Sequence, residues 1–423
     1  MSPANQIAVD RLFLNARELV TLADGPARGA RRGEIEAPRV ELDGAIAVRD
    51  GRVVATGSTQ ELRQRFVARE EVDLRGLVVF PGFVDSHTHP VFAKTREREF
   101  HMRCAGADYM AIAAAGGGIL ESVRALRETT EAELVALVRA RLDGFLAHGT
   151  TTIEGKSGYG LSVDAELRSL RALTRAAAGH PLTVSRTFLG AHEVPAEYRP
   201  HTDRYVDHLI AEMLPAVVPW CESADVFAEP KVFDSERSRR ILTAARAAGL
   251  RLRVHADEIE PMRGAQLACE LDADSADHLA VVDEDGISRL GAARTTATLL
   301  PGTSFYLRKA KHAPARALWR AGAAVALATD FNPGSCYTMS MPLIATLACV
   351  LYGMTPAECL VAMTINPAAS LHLDAELGTL HDGKRADFVA LDLPSWSGLG
   401  YVFGGNPARM TVKDGVVVWG GAG

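Results

Sequence analysis

A (β/α)8 barrel carrying a small β-sandwich domain built from both chain ends is the α/β fold class this sequence predicts, on three observations. Between residues 82 and 372, strand-like apolar runs alternate with helical stretches about eight times, as in a ring of parallel strands joined by covering helices. Each end of the chain carries short turn-bounded β segments too small to bury a core alone. No G-x-G-x-x-G fingerprint follows the first central strand, which argues against an open nucleotide-binding sheet.

Near the amino end the β segments are 45–48, 53–55 and 77–79, and Arg49-Asp50-Gly51-Arg52 between the first two is a hairpin signal. Residues 60–69 read as one short helix. Near the carboxyl end come 388–391, 410–412 and 416–419, with the turn Lys413-Asp414-Gly415 before the last. The economical arrangement pairs the two ends into one composite domain, residues 1–80 with 375–423, beside a barrel of residues 81–374. The barrel strands are expected at 83–89, 151–154, 182–189, 225–229, 250–255, 275–278, 296–300 and 323–329. Among the intervening stretches, 131–147, 164–178, 236–248 and 314–321 carry the i, i+3, i+4 apolar spacing of helices.

Composition narrows the function. With 48% hydrophobic and 23% charged residues the chain is an ordinary globular protein, and a net charge of −6 favours neither nucleic acid nor an acidic membrane as partner. The six cysteines are scattered without a C-x-x-C pair, which suits free thiols in a reducing compartment. Asp10, Arg11, Arg17 and Glu18 interrupt the first twenty residues, and no apolar run approaches membrane-spanning length. A cytoplasmic protein is expected.

The chemistry is written at the strand ends. Pro81-Gly82-Phe83-Val84-Asp85-Ser86-His87-Thr88-His89 finishes in two histidines two residues apart, which on a strand point to one face. The histidines in or just after the other strands, His192, His255 and His278, also fall at carboxyl ends, as do Glu258 and Asp330. That rim is where a barrel builds its active site. His87, His89, His255 and Asp330 make a mixed N/O set suited to one divalent ion, zinc or iron, with a position left for water. Such an ion lowers the pKa of its water toward about 7. Glu258, three residues past His255, is placed to act as general base or to hold the substrate, and His278 to orient or polarise a carbonyl oxygen.

On these residues the chain resembles the amidohydrolase superfamily. It resembles the imidazolonepropionase family within it through Glu154-Gly155-Lys156-Ser157-Gly158-Tyr159-Gly160, Phe188-Leu189-Gly190-Ala191-His192, His255-Ala256-Asp257-Glu258, Ser275-Ala276-Asp277-His278, Leu299-Leu300-Pro301-Gly302 and Ala328-Thr329-Asp330-Phe331-Asn332-Pro333-Gly334. The resemblance covers essentially the whole chain. It implies hydrolysis of the cyclic amide of 4-imidazolone-5-propanoate to N-formimino-L-glutamate in histidine degradation, with His87, His89, His255 and Asp330 as metal ligands. It further implies Arg96, Tyr159, His192, Glu258, Asn332, Gly334 and Ser335 at the substrate, Glu258, His278 and Asp330 at the reacting centre, and a homodimer. A propanoate tail is well held by a guanidinium through two parallel hydrogen bonds, and Arg96 lies in the loop after His89. Another cyclic amidase, or an aminohydrolase acting on a nucleobase-like ring, shares the ligand pattern. Relatives with two metals usually bridge them with a lysine on the fourth strand; Lys231 falls beyond that strand, so one metal is expected. Ala228-Glu229-Pro230 departs from the family pattern and bears only on the shape of its loop.

Overall fold

In the computed structural model, which describes residues 6–33, 35–107 and 115–421, two sheets divide the strands between them. The amino-terminal part supplies β1 (Ile7–Leu19), β2 (Glu41–Arg49), β3 (Arg52–Ser58), β4 (Phe66–Asp73) and β5 (Val78–Pro81). The centre supplies β6 (Phe83–Asp85), β7 (Thr150–Lys156), β8 (Thr183–Ala191), β9 (Ser223–Ala228), β10 (Arg251–Ala256), β11 (Ser275–His278), β12 (Thr296–Leu299) and β13 (Ala324–Leu327). The carboxyl-terminal part supplies β14 (Phe388–Leu391), β15 (Ala408–Lys413) and β16 (Val416–Gly420).

The two chain ends share one mixed sheet in the order β16-β15-β14-β5-β1-β2-β3, with β4 alongside β1. The join is antiparallel, β14 on β5, with Ala390 opposite Val79. Period-2 alternation explains why both faces are buried. Along β2, Ala45 and Ala47 enter a cluster with Leu12, Leu62 and Phe66, while Ile46 and Val48 enter another with Phe13, Phe388 and Met410. Phe13 meets Phe388 edge-on at 4.8 Å, so one core spans both ends of the chain. The expected turns sit in their places: Asp50 and Gly51, and Asp414 and Gly415, all have positive φ, as tight hairpins demand.

Two local expectations change. The helix of 60–69 is Thr59–Arg65, capped by the Ser58 side chain, and the chain then turns into β4, parallel to β1. The alternation of Phe66 and Ala68 toward the core overrides the helical spacing. Strand β1, the longest at 13 residues, was not among the expected segments, because its alternation breaks at a bulge between Phe13 and Ala16 where Asn15 takes φ +65°.

The central strands form a parallel sheet in sequential order from β6 to β13. The ring is drawn shut just beyond the strand ends, where Asp330 N donates to His87 O at 3.0 Å and His89 N to Phe331 O at 2.8 Å. Buried Asp85 adds a side-chain clasp, accepting Thr329 N at 3.0 Å and Thr329 Oγ1 at 2.6 Å. Burial raises its carboxyl to about 7 in spite of those bonds. Helices of the expected kind separate the strands, among them Glu131–Leu146, Val163–Ala177 and Ser235–Ala247. The first begins in a Thr130/Glu133 capping box. At Pro81-Gly82 the chain crosses from the mixed sheet into the barrel, and a Cβ on Gly82 would lie 2.4 Å from Thr151 Oγ1, so the passage admits only glycine. Among the described residues no helix is long and apolar enough to cross a membrane.

Replacing Asp85 by Ala strands the Thr329 amide and hydroxyl at the closing seam. We expect a loss of about 2–3 kcal/mol, read as a lower urea midpoint at unchanged m value; an unchanged midpoint would show that the seam does not depend on this clasp.

Candidate active site

Three side-chain atoms converge at the carboxyl end of the barrel. His87 Nε2 lies 3.3 Å from His89 Nε2 and 3.6 Å from Asp330 Oδ1, and His89 Nε2 lies 3.4 Å from the same oxygen. A tetrahedral ion with bonds of about 2.0–2.2 Å requires ligand atoms roughly 3.3–3.6 Å apart, so this triangle fits one. The His255 ring centroid is 4.5 Å from that of His87 and 5.5 Å from that of His89. His278 closes a second, overlapping group with His87 and His255.

The imidazoles are aimed from behind. His87 Nδ1 sits 2.7 Å from Asp277 Oδ2 and His255 Nδ1 sits 3.0 Å from Asp225 Oδ2, which turns each Nε2 toward the site. Burial first, then Lys156 and the neighbouring rings, keeps His87 well below the ordinary imidazole pKa; burial and His255 do the same for His89. Neutral rings are the form that ligates metal. For His255 burial also pushes down, but Asp225 reverses the balance and the pKa rises.

Beneath the rings lies a fully buried ionic cluster. Lys156 Nζ donates to Glu154 Oε1 and Asp225 Oδ2, each at 2.7 Å, and stands 4.0 Å from Asp277 Oδ2. Arg253 Nε is 3.1 Å from Glu154 Oε1. The cluster sets three carboxylates against two cations, and Asp330 stands above it beside His87 and His89, whose rings are kept neutral. Carboxylates set against neutral imidazoles suit a divalent cation.

Above the rings opens a cavity of about 1240 Å³. Of the residues the sequence singled out, Arg96, Tyr159, His192, Glu258, His278, Asp330, Asn332 and Ser335 all line it, as do His89 and His255. His192 Nδ1 donates to Gly158 O at 2.9 Å, and its ring stacks on His89 at 5.1 Å. Tyr159 is buried, and burial drives its hydroxyl pKa up, so the phenol stays protonated. Glu258 holds Lys309 Nζ at 2.6 Å on Oε1, and its Oε2 stands 3.4 Å from His278 Nε2. Burial opposes its ionisation, yet His278 and Lys309 bring its pKa down to about 2. Burial likewise raises Asp330, with His278 and Thr303 opposing it. Asn332 is engaged within its own loop: its Oδ1 accepts Gly334 N at 2.8 Å and Ser335 N at 2.7 Å, while its Nδ2 donates to Ser335 Oγ at 2.7 Å.

Several site residues escaped the sequence reading. Asp225 and Arg253 carry no role in the sequence reading, and Lys156 and Asp277 stand there only within motifs, although Glu154 and Lys156 at i, i+2 signal paired charges facing inward. Lys309 carries no such signal. Strand β9 ends at Ala228, one residue short of expectation. Glu229 instead accepts the amides of Glu258, Ile259 and Glu260, which shapes the loop bearing Glu258. Lys231 is exposed at the cavity's edge and paired with Glu260 at 2.8 Å.

Comparison with known proteins follows the same lines. The model of the "Amidohydrolase family" matches residues 105–419, and that of the "Imidazolonepropionase-like composite domain, bacteria" matches residues 44–66. The chain is 49% identical to an imidazolonepropionase from Symbiobacterium thermophilum over 416 residues, 97% of each chain. It is 46% identical to one from a Geobacillus species, covering 96% of this chain and 97% of the relative. In fold it is similar to an adenosine deaminase from Xanthomonas campestris with bound zinc (TM-score 0.73, 18% identity, 98% and 94% covered). It is also similar to the guanine deaminase of E. coli (TM-score 0.72, 16% identity, 97% and 99% covered).

Two substitutions test the support beneath the rings. Asp277→Asn should weaken zinc binding about 10- to 100-fold, measured by competition with a chromophoric chelator; wild-type affinity would mean that Asp277 does not aim His87. Lys156→Met leaves buried carboxylates facing one another and should cost about 3–5 kcal/mol of stability, read by denaturant titration.

Proposed function

The chain belongs to the imidazolonepropionase family of the amidohydrolase superfamily, and from that membership we propose how its residues divide the work. The reaction is hydrolysis of the cyclic amide of 4-imidazolone-5-propanoate to N-formimino-L-glutamate, a step of histidine degradation. The observation that carries it is near-full-length similarity to proteins of that name, over a site whose donor atoms suit one divalent ion.

A divalent metal is the cofactor, zinc or iron, with His87, His89, His255 and Asp330 as its ligands. When bound, it supplies a Lewis acid and a water acidic enough to attack at neutral pH. Either Asp330 or Glu258 would accept the proton released by the attacking water, and Glu258, ionised beside Lys309, is placed to pass a proton to the leaving nitrogen. His278 offers an N–H to the oxygen of the ring carbonyl as charge develops there. Arg96 binds the propanoate carboxylate by its two parallel donors. Tyr159 and His192 flank the ring, and the Asn332, Gly334 and Ser335 loop closes one side of the pocket. The partner is thus a small anionic imidazolone, and the working unit is a homodimer.

Metal analysis of the purified protein, coupled to an assay on freshly made imidazolone propanoate, tests this. We expect one zinc or iron per chain, activity lost to a chelator and restored by one equivalent of metal. Turnover of a neutral nucleobase in place of the imidazolone would instead support an aminohydrolase. Glu258→Gln and Asp330→Asn should each lower kcat by about 100-fold or more; a variant within a few-fold of wild type would remove that residue from proton transfer.

A further inference from the structure

Two arginines from one helix reach the same glycine. Arg96 stands at the amino-terminal boundary of helix Glu97–Cys104, and Arg103 follows seven residues later, on the same face two turns on. Arg103 Nη2 donates to Gly334 O at 2.8 Å. Its guanidinium lies 5.5 Å from the centre of the Tyr306 ring, and Arg308 Nη2 reaches Arg103's own carbonyl at 3.3 Å. Arg103 therefore joins the loops after the first, seventh and eighth barrel strands, all of which line the cavity.

Arg96 lies against that same glycine. A Cβ on Gly334 would fall 2.0 Å from Arg96 Nη2 and 2.2 Å from its Cζ. Gly334 has no positive φ, so glycine is needed here for room and not for backbone conformation. The Gly334 peptide groups are held at both ends, the amide by Asn332 and the carbonyl by Arg103. Arg96 Nε faces Glu99 Oε1 at 3.0 Å, and that same oxygen accepts Gly118 N at 2.7 Å. Nε is thus in ion-pair range of Glu99 without an aligned hydrogen bond, and the guanidinium borders the cavity, where an anion can reach it.

We propose that Arg103 is a positioning residue for anion recognition: by holding the Gly334 carbonyl it keeps the 332–335 loop as the bed on which the Arg96 guanidinium rests, and so sets affinity for the substrate's carboxylate tail. This rests on the reading of Arg96 as the tail-binding residue. Arg103 acts through Arg96 and not on the reacting atoms, so its loss falls on carboxylated ligands and on KM. Geometry, more than charge, is what it supplies. A lysine keeps the charge but lacks the planar fork that reaches a carbonyl while lying over a ring.

The test is calorimetric titration of the metal-loaded full chain with imidazole-4-propanoate and, as the tail-less probe, 4-ethylimidazole. Arg96→Ala should weaken the propanoate about 100-fold and Arg103→Met about tenfold, with 4-ethylimidazole unchanged in both. Arg103→Lys should resemble Arg103→Met, and the Arg96→Ala/Arg103→Met pair should bind no more weakly than Arg96→Ala alone. Gly334→Ala, which pushes on Arg96 directly, should reproduce the loss; it and Arg103→Lys carry the test if Arg103→Met does not fold. In turnover, Arg103→Met should raise KM about tenfold and change kcat less than about threefold. Arg98, exposed on the same helix, is the charge control, and Arg98→Ala should change nothing. The proposal is overturned if Arg103→Met binds the propanoate as wild type does, weakens both probes equally, or is matched by Arg98→Ala. Undiminished propanoate binding by Arg96→Ala would instead sink the tail-site reading. Failure of the wild type to turn over imidazolone would sink the proposed reaction, and that result is separate from both.

Discussion

The contact on which the site most depends is the ammonium of Lys156 buried among carboxylates. Glu154, Asp225 and Asp277 come from three different barrel strands, and without a central cation they would repel one another in a medium that screens poorly. Lys156 and Arg253 hold them together, and two of the three then aim His87 and His255. The triangle of His87, His89 and Asp330 lies above this cluster of carboxylates. Orientation of the rings and the electrostatic pull on a cation thus have one source.

The barrel also explains why the pieces meet. Parallel strands bring every carboxyl end to the same rim, so residues from the first, fifth and eighth strands become neighbours although far apart in the chain. Closure matters most between the first and last strands, because His87, His89 and Asp330 sit on either side of that seam. Backbone bonds on His87 and Phe331 and the Asp85 clasp on Thr329 bind it there. The mixed sheet serves the same end from outside. Its β5 runs through Pro81-Gly82 into β6, so the sheet assembled from both chain ends anchors the strand that carries the two histidines.

Above the rings, neighbouring groups set opposite protonation states at close range. The imidazoles of His87 and His89 are held neutral by burial and by the nearby His255 and Lys156, while Glu258, less deeply buried, is ionised with Lys309 paired to it. Groups that bind a cation and a group that accepts a proton can therefore coexist within one cavity. The loop after the eighth strand is braced by Asn332 from within, which makes it a rigid wall against which Arg96 lies.

The fold class, the strand order of the barrel and the convergence of His87, His89, His255, His278 and Asp330 were legible in the sequence. They depend on local periodicity and on the rule that strand carboxyl ends share a rim. The short β segments of both chain ends, their Asp-Gly turns and their union were legible for the same reason. The long β1 and the strand β4 were not, since a bulge and a capped turn disguise their alternation. Only the tertiary structure decided the partners of Lys156, Asp225 and Asp277, the Lys309 contact with Glu258, and the approach of Arg96 and Arg103 to Gly334. These are pairings between side chains remote in sequence, and a single chain's letters record the charge of each residue but not the distance across which it acts.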